Sequence, residues 1–498
     1  MTDVAVKEGL ELLQGELRPY QYECIEHLWQ YPHVMTADEM GIGKTVECIA
    51  MDSVRRAQAG PGKHKTLVVA PLTGVIDQWV EEFKIWRPDL VVKRINAKNA
   101  KARKDSIASI KDCDVFVIHP EGLRIEKEAL KKVKWVHMIF DEVHRIKNRK
   151  TKTSKAAKEI SKSIPYRMGA TGTPIENRTD EIWNIFNWLY PDQATRNAAG
   201  LGNWTKKLLN SYWRFYEHYV EYWVDPDYGY HKITGTRNEE DFRKRFGPLY
   251  IRRLKKDVLS HLPPKQYTSY KVDLLPKQRK AYDAMKQTLV AWVGANEDQP
   301  VVAPVIIAQL IRLQQFTLGY GNVETLEPKR DKNTGAMLPP ETRLHLEEPS
   351  IKLDALMDIL DDMGDSQALV FSTSKQAINL AKARLEKAGI TCSIVTGDIT
   401  DAKRKGMISR FQSGEAQVMV STIRAGGVGM NLQNCSTVIF LDRDWSPAKN
   451  VQAEDRVHRS GQEFPVNIID IVAKDTIDQK KHTTIERKWS WIKATIGA

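Results

Sequence analysis

The stretch ADEMGIGKT, residues 37–45, decides how the rest of the chain is read. Its glycines let backbone N–H groups approach phosphate oxygens closely, and a helix following the loop would point its positive end at them. The pattern fits GxxxxGK[ST], except that Asp38 stands where the first glycine belongs. In such a loop Met40, Gly41 and Gly43 lie against the phosphates, Lys44 reaches the β- and γ-phosphates, and Thr45 offers its hydroxyl to Mg2+. The competing reading is an ordinary turn between a strand and a helix.

Working outward, short apolar runs rich in Val and Ile alternate with amphipathic stretches. TLVVAP (66–71), DVFVI (114–118), VHMIFD (136–141) and YRMGA (166–170) form one set. ALVFS (368–372), TCSIVT (391–396), QVMVS (417–421), TVIFLD (437–442) and VNIIDIVA (466–473) form a second. Helical patterns at 73–86, 151–163, 374–388, 401–412 and 447–459 separate them. This alternation predicts an α/β fold with two parallel sheets, each with helices on both faces. Residues 181–320 carry aromatic-rich helical periodicity instead, as in EIWNIFNWLY and SYWRFYEHYVEYW, and read as helical insertions with aromatics packed between helices. Residues 321–349 are polar and read as a surface loop or linker. The expected domains are a nucleotide-binding lobe over 1–190, its helical insertion over 191–264, a second insertion and linker over 265–349, and a C-terminal lobe over 350–498.

Composition sets the outer bounds. With 498 residues, 42% of them hydrophobic and 28% charged, the chain has enough apolar material for several packed domains. Lys plus Arg exceeds Asp plus Glu by 75 − 63 = 12, which favours a polyanionic partner. No run approaches a membrane span, and the first residues, MTDVAVKEGLELLQGE, lack the apolar core of a signal peptide. The five cysteines are scattered and never in CxxC spacing, which argues against disulfides and zinc and for a reducing interior. A cytoplasmic location follows, nucleoid-associated or in a host cytoplasm if the protein is viral.

Other blocks carry chemistry. IFDEVH (139–144) ends an apolar run, so Asp141 can hold Mg2+ and Glu142 can polarise an attacking water. A lone acidic pair is equally a solvated loop edge. ELRPYQ (16–21) precedes the phosphate loop; Gln21 has the donor and acceptor that suit an adenine edge, with Arg18 beside it, although either could simply start a helix. GATGTPIEN (169–177) follows another strand and places Thr171 and Thr173 to relay hydrogen bonds. In QAEDRVHRSGQ (452–462), Arg456 and Arg459 are three apart on an expected helix and would share a face suited to a polyphosphate, or be a solvated basic face.

In this order, the blocks resemble superfamily 2 nucleic-acid-dependent ATPases, specifically the SWI/SNF-type DNA translocases. DEMGIGKT differs from that family's usual motif only by Ile42 for Leu. VVAPLTGVIDQWVEEFKIW (68–86), EIWNIFNWLYP (181–191), YIRRLKKDVLSHLPPK (250–265), SIKLDALMDIL (350–360), AGGVGMNL (425–432) and DRDWSP (442–447) are similar to further family segments. The resemblance covers about residues 16 to 475. It implies two RecA-like lobes of a P-loop NTPase, with ATP and Mg2+ as cofactors. Lys44, Thr45, Asp141 and Glu142 belong to one lobe, and Arg456 and Arg459 of the other act as arginine fingers. It also places Gly429 at the nucleotide. Four departures from the family pattern stand out: Val143 for Gly or Ala, His119-Pro120 for Thr-Tyr, Ile423 for Thr, and Asp455 for Gly.

Two basic runs mark where a polyanion would lie. Residues 93–104 hold six Lys or Arg, and residues 145–162 hold eight against one Glu. The second follows DEVH directly, which makes Lys147, Arg149 and Lys150 candidate phosphate contacts; such runs are also commonly plain solvated faces. Thr422, with Ser421 as the alternative, and Trp445 are further candidates by the resemblance. The expectation is a monomeric, ATP-driven translocase on double-stranded DNA, read by its backbone without sequence preference. A strand-separating helicase, a restriction-type motor and a non-catalytic DNA-binding scaffold are the alternatives.

Overall fold

The computed structural model describes all residues except 1–3, 61, 63, 72, 97, 227–228, 296–302, 326–341, 427–429 and 497–498. The chain divides into two compact units, residues 1–262 with 488–498, and residues 263–487.

The first unit is built on β1 (His33–Thr36), β2 (Lys65–Val69), β3 (Val92–Arg94), β4 (Val115–Ile118), β5 (Trp135–Asp141) and β6 (Tyr166–Ala170). An antiparallel hairpin follows, β7 (Val220–Val224) and β8 (His231–Thr236), and then the short β9 (Tyr250–Ile251). The sheet runs β3-β4-β2-β5-β6-β1-β9 with every neighbour parallel. Val68, Val69, Val117, Ile139 and Phe140 are fully buried, as strands covered on both faces require.

The second unit contains β10 (Lys265–Val272), the antiparallel pair β11 (Tyr320–Thr325) and β12 (Thr342–Glu347), and β13 (Ala368–Ser372), β14 (Cys392–Val395), β15 (Val418–Thr422), β16 (Thr437–Phe440) and β17 (Val466–Ala473). Its sheet runs β10-β17-β16-β13-β15-β14, again all parallel. Side chains alternate between two cores. Ala368 and Val370 of β13 join Val418, Val420 and Ile439 on one face. Leu369 and Phe371 join Met419, Val438 and Phe440 on the other. The α/β class with two parallel sheets is therefore as the strand runs imply.

The middle of the chain differs from its reading. SYWRFYEHYVEYW is a helix only over Tyr212–Tyr219 and then becomes β7, because the β-prone run VEYWV pairs with β8. Residues 265–272, expected in a helical insertion, form an edge strand along β17. Residues 320–325 and 342–347, expected in a loop or linker, form the β11–β12 ladder. The terminal residues 488–498 belong with the first unit rather than with a C-terminal lobe over 350–498. There, Arg243 donates to the Ala494 carbonyl, and Thr179 and Thr495 share a hydrogen bond of 3.4 Å.

Candidate active site

In the first unit, the chemistry gathers where β5, β6 and β1 end side by side. Ligand sites of open parallel sheets form beyond the carboxyl ends of the strands. β1 runs into residues 37–43 and the helix Lys44–Gln58. Gly41 and Gly43 take φ of 84° and 104°, the left-handed backbone that glycine adopts without strain. A Cβ on Gly43 would also lie 2.6 Å from Nε2 of Gln21. Lys44 Nζ donates to the carbonyls of Asp38 and Glu39, both at 2.9 Å, so the ammonium sits inside the curl of the loop. Met40 is buried over Gly172, where a Cβ would come 2.7 Å from its Cγ. Thr45 is the second residue of the helix and half-buried.

ELRPYQ braces this loop. Gln21 accepts from the Arg18 N–H at 3.1 Å and directs Nε2 to the Gly43 carbonyl at 3.4 Å. Tyr20 donates to the Ile42 carbonyl at 2.7 Å, and Arg18 Nη1 donates to the Tyr20 hydroxyl at 3.1 Å. Arg18 and Gln21 thus reach the loop from one side as a connected set.

At the end of β5, Asp141 accepts from the Trp79 indole and from the Glu142 N–H, each at 2.9 Å. Glu142 itself takes φ 52°, ψ 51°, an uncommon conformation for a residue with a side chain, as found at functional turns. Burial, then the neighbouring Glu142, pushes the Asp141 carboxyl up to about 6. Two adjacent carboxylates at a strand end suit a divalent cation, which Asp141 and Thr45 would hold. Thr171 donates to Glu142 Oε2 at 3.4 Å and also meets His144 Nδ1 at 2.9 Å. His144 lies 3.1 Å from Glu142 and 3.6 Å from Glu176. Burial opposes its charged form, yet these carboxylates leave its pKa raised overall. Val143 is fully buried against Gly169 and serves packing.

Residues of the YIRRLKKDV block, to which the sequence reading gave no role in the site, complete it. β9 lies beside β1, so Arg252 and Arg253 reach the loop: Arg252 Nη1 donates to the Ala37 carbonyl at 2.7 Å. Arg253 is bound to both Asp38 and Glu47, whose side chains are fully buried. Burial, then Asp38, raises Glu47 to about 8, while Arg253 works in the opposite direction. The carboxylate at the position of the missing glycine is therefore a tether for the RRLKK segment. The sequence marks both ends of this tether, the departure at position 38 and the YIRRLKKDV block, but not their pairing.

The basic run after β5 is divided in its use. Lys147 is engaged by Glu176 and by Glu181, the latter at 3.0 Å. Lys158 donates to Asn184 and Asn187 at 2.7 and 2.6 Å, and burial lowers it to about 8. Their ammonium groups are spent inside the unit. Arg149, Lys150, Lys152 and Lys155 are exposed. His119 accepts from the Gly122 N–H at 2.7 Å and caps the helix Pro120–Ile125.

In the second unit, the helix expected over 447–459 stops at Glu454. Turns follow, with Val457 N bonded to Glu454 O and Arg459 N to Val457 O, both at 3.1 Å. The segment is held from outside: Lys265 pairs with Glu454 and Asp455, both at 2.9 Å, and the Pro263 carbonyl meets His458 Nε2 at 2.7 Å. Arg443 adds bonds to Glu454 and Asp470. Arg456 and Arg459 consequently do not share a helix face. They nevertheless converge, because both donate to the Met430 carbonyl, at 3.4 and 3.3 Å. Asp455, the departure from glycine, has a defined partner in Lys265 of the LPPK block.

Ser421 donates to the Val395 carbonyl at 2.9 Å, whereas Thr422 is half-buried at the end of β15 and accepts from Ala425 N at 3.4 Å. Trp445 packs on the core with the Lys481 ammonium 5.2 Å from its ring. Gly429 lies outside the described residues. No helix among the described residues is long and apolar enough to cross a membrane.

Residues 20–317 match the model of the SNF2-related domain, and residues 351–461 match that of the helicase conserved C-terminal domain. The chain is 28% identical over 489 residues to the human SWI/SNF-related matrix-associated actin-dependent regulator of chromatin subfamily A member 1, covering 94% of this chain and 42% of that protein. It is 27% identical to the transcription regulatory protein SNF2 of Saccharomyces cerevisiae, covering 95% and 27%. It is 26% identical to the TATA-binding protein-associated factor mot1 of Aspergillus fumigatus, covering 96% and 27%. The chain thus spans between about a quarter and two fifths of the length of these relatives. The Sulfolobus solfataricus SWI2/SNF2 ATPase core in complex with dsDNA aligns over 97% of this chain and 98% of its own, at 24% identity and a TM-score of 0.41.

Proposed function

Since the chain belongs to the SNF2-related family of helicase-like ATPases, we propose that it is a DNA-stimulated ATPase that turns ATP hydrolysis into movement along double-stranded DNA. The observation that carries this reading is the set of Lys44, Asp141, Glu142 and Thr171 brought together at the ends of three adjacent strands.

The roles follow from the groups. Lys44 leaves the carbonyls of Asp38 and Glu39 for the β- and γ-phosphates, which are stronger acceptors. Glu142, held by Thr171 and beside His144, orients and deprotonates the attacking water. Gln21, with Arg18, reads the adenine. Thr45 and Asp141 hold Mg2+, which when bound neutralises phosphate charge. Arg456 and Arg459 act as the arginine fingers on the γ-phosphate. Duplex DNA stimulates turnover by favouring the state in which those arginines engage, and the difference in ATP affinity between states sets the coupling. The exposed Arg149, Lys150, Lys152 and Lys155 meet DNA phosphates, an interaction blind to sequence.

Displacement of a third strand from a blunt duplex separates translocation from unwinding. The intact chain displaces the triplex strand with ATP, Lys44→Ala does not, and a simple duplex is not melted. Melting of the duplex at a similar rate would favour the strand-separating alternative.

A further inference from the structure

The aromatic-rich segment 211–236 is only partly used by the core. Phe215 and Tyr219 face inward and pack with Phe242 and Phe246. Trp213, Trp223 and Tyr230 instead stand 55%, 48% and 56% exposed. A single exposed ring is ordinary, but three within one helix and hairpin form a surface feature.

The rings around Trp213 are ordered with respect to one another, while Trp223 stands with Lys232 on the other face of the hairpin. Tyr222 and His231 stack across the hairpin at 4.3 Å and 6°. Trp213 stands edge-on to His231 at 6.2 Å and contacts Tyr212 at 5.3 Å. The face of Tyr212 carries the Arg149 guanidinium at 4.4 Å. The ladder therefore begins in the exposed basic run and ends on the hairpin. Cations accompany the exposed rings: Arg214 follows Trp213, and Lys232 pairs with Trp223 in the hairpin register. Glu217 and Glu221 are exposed nearby as well, so the patch is mixed in charge rather than a plain basic face.

We propose that the helix Tyr212–Tyr219 and the β7–β8 hairpin form a stacking platform for unpaired nucleobases, as found at a fork, a gap or a frayed end. The inference rests on the DNA reading above. Exposed aromatic faces with interspersed cations suit bases, whose π-faces stack on such rings whatever their sequence. A paired base inside a duplex offers no free face, so the platform adds nothing to the binding of blunt duplex. Continuity with Arg149 favours a nucleic-acid strand over a protein: a strand whose phosphates follow the basic run brings its next bases to Trp213.

The test measures affinity of the full chain at one salt concentration for a blunt duplex and for a forked duplex with the same paired length. The unaltered chain binds the fork more tightly. Trp213→Ala and Trp223→Ala each weaken fork binding by about tenfold, while blunt-duplex affinity moves less than about twofold. Trp213→Phe and Trp223→Phe, which keep a ring, hold most of the preference. Fork affinity unmoved by both alanine substitutions, or fork and blunt affinity falling together, overturns the platform while leaving the DNA reading intact. Concentration-dependent dimerisation abolished by the same substitutions, with fork binding unchanged, assigns the patch to a second copy and also overturns it. Failure of the unaltered chain to bind any DNA removes both readings at once.

Discussion

Arg253 clasps Asp38: its Nε lies 3.0 and 3.2 Å from the two carboxylate oxygens, and its terminal nitrogen reaches Asp38 and Glu47 together. The pair joins the phosphate loop to a segment 215 residues away in sequence. Removing the cation leaves the fully buried Asp38 carboxylate, and the Glu47 side chain beside it, without their shared guanidinium. Arg253→Ala is expected to destabilise the first unit by about 3–5 kcal/mol. Arg253→Lys keeps charge but not the fork and falls in between. Adding Asp38→Asn and Glu47→Gln to Arg253→Ala restores part of the stability, as denaturant unfolding of the series would show. Additive losses would mean the three groups do not act as one unit.

Glu142→Gln is expected to lower kcat by about 10²–10⁴ with ATP affinity retained, since the amide keeps the shape but cannot take a proton. Lys44→Ala weakens ATP binding as well. Steady-state hydrolysis with parallel nucleotide titration checks both, and near-normal turnover in Glu142→Gln would remove it as the base.

How much of this was legible follows from distance along the chain. The loop at 37–45 and the acids at 141–142 are strand-end chemistry written in a few consecutive residues, so both could be read directly. The Arg253–Asp38 and Lys265–Asp455 pairs join residues some two hundred positions apart, and no local pattern carries them. The helix expected over 447–459 ends five residues early for the same reason. Its end at Glu454 coincides with the bond from Lys265, and the Pro263 carbonyl meets His458 just beyond, with no glycine or proline stop there. The β7–β8 hairpin is masked in the sequence because its aromatics continue those of the preceding helix. The turn signal Asp225-Pro226 was present but weaker than that periodicity.

Lys265 tests the second unit. Lys265→Met leaves Glu454 and Asp455 with one fewer cation in a buried cluster, at a cost of about 3 kcal/mol. Because the same contacts hold the segment carrying Arg456 and Arg459, kcat falls more than ATP affinity does. Asp455→Gly in the Lys265→Met background recovers stability by removing one of the two carboxylates that Lys265 paired. A kcat unaffected by Lys265→Met would mean the arginines are positioned by something else.

The basic run should divide by function. Neutralising Lys150, Lys152 or Lys155 is expected to lower the slope of log affinity against log salt by up to about 0.9 each. Lys147→Ala and Lys158→Ala chiefly cost stability. Lys158 also has a pH signature. Its folded pKa of about 8 lies below the usual lysine value, so the unfolded chain binds the extra proton between about pH 8 and 10.5. Stability due to this group therefore rises with pH across that window, by about 1–2 kcal/mol after discounting for partial exposure. The difference in melting temperature between the unaltered chain and Lys158→Met, followed from pH 8 to 10.5, isolates it; a pH-independent difference would contradict the assignment.

The most direct test of the central claim is ATP turnover with no nucleic acid, blunt duplex DNA, single-stranded DNA and RNA, in the unaltered chain and in Arg456→Ala and Arg459→Ala. Duplex DNA is expected to stimulate the unaltered chain most. Each arginine variant should bind ATP almost normally and lose nearly all of the stimulated rate, because an interaction made in the transition state appears in kcat. Turnover indifferent to duplex DNA, stimulation greatest with RNA, or full stimulation in either arginine variant would contradict the account.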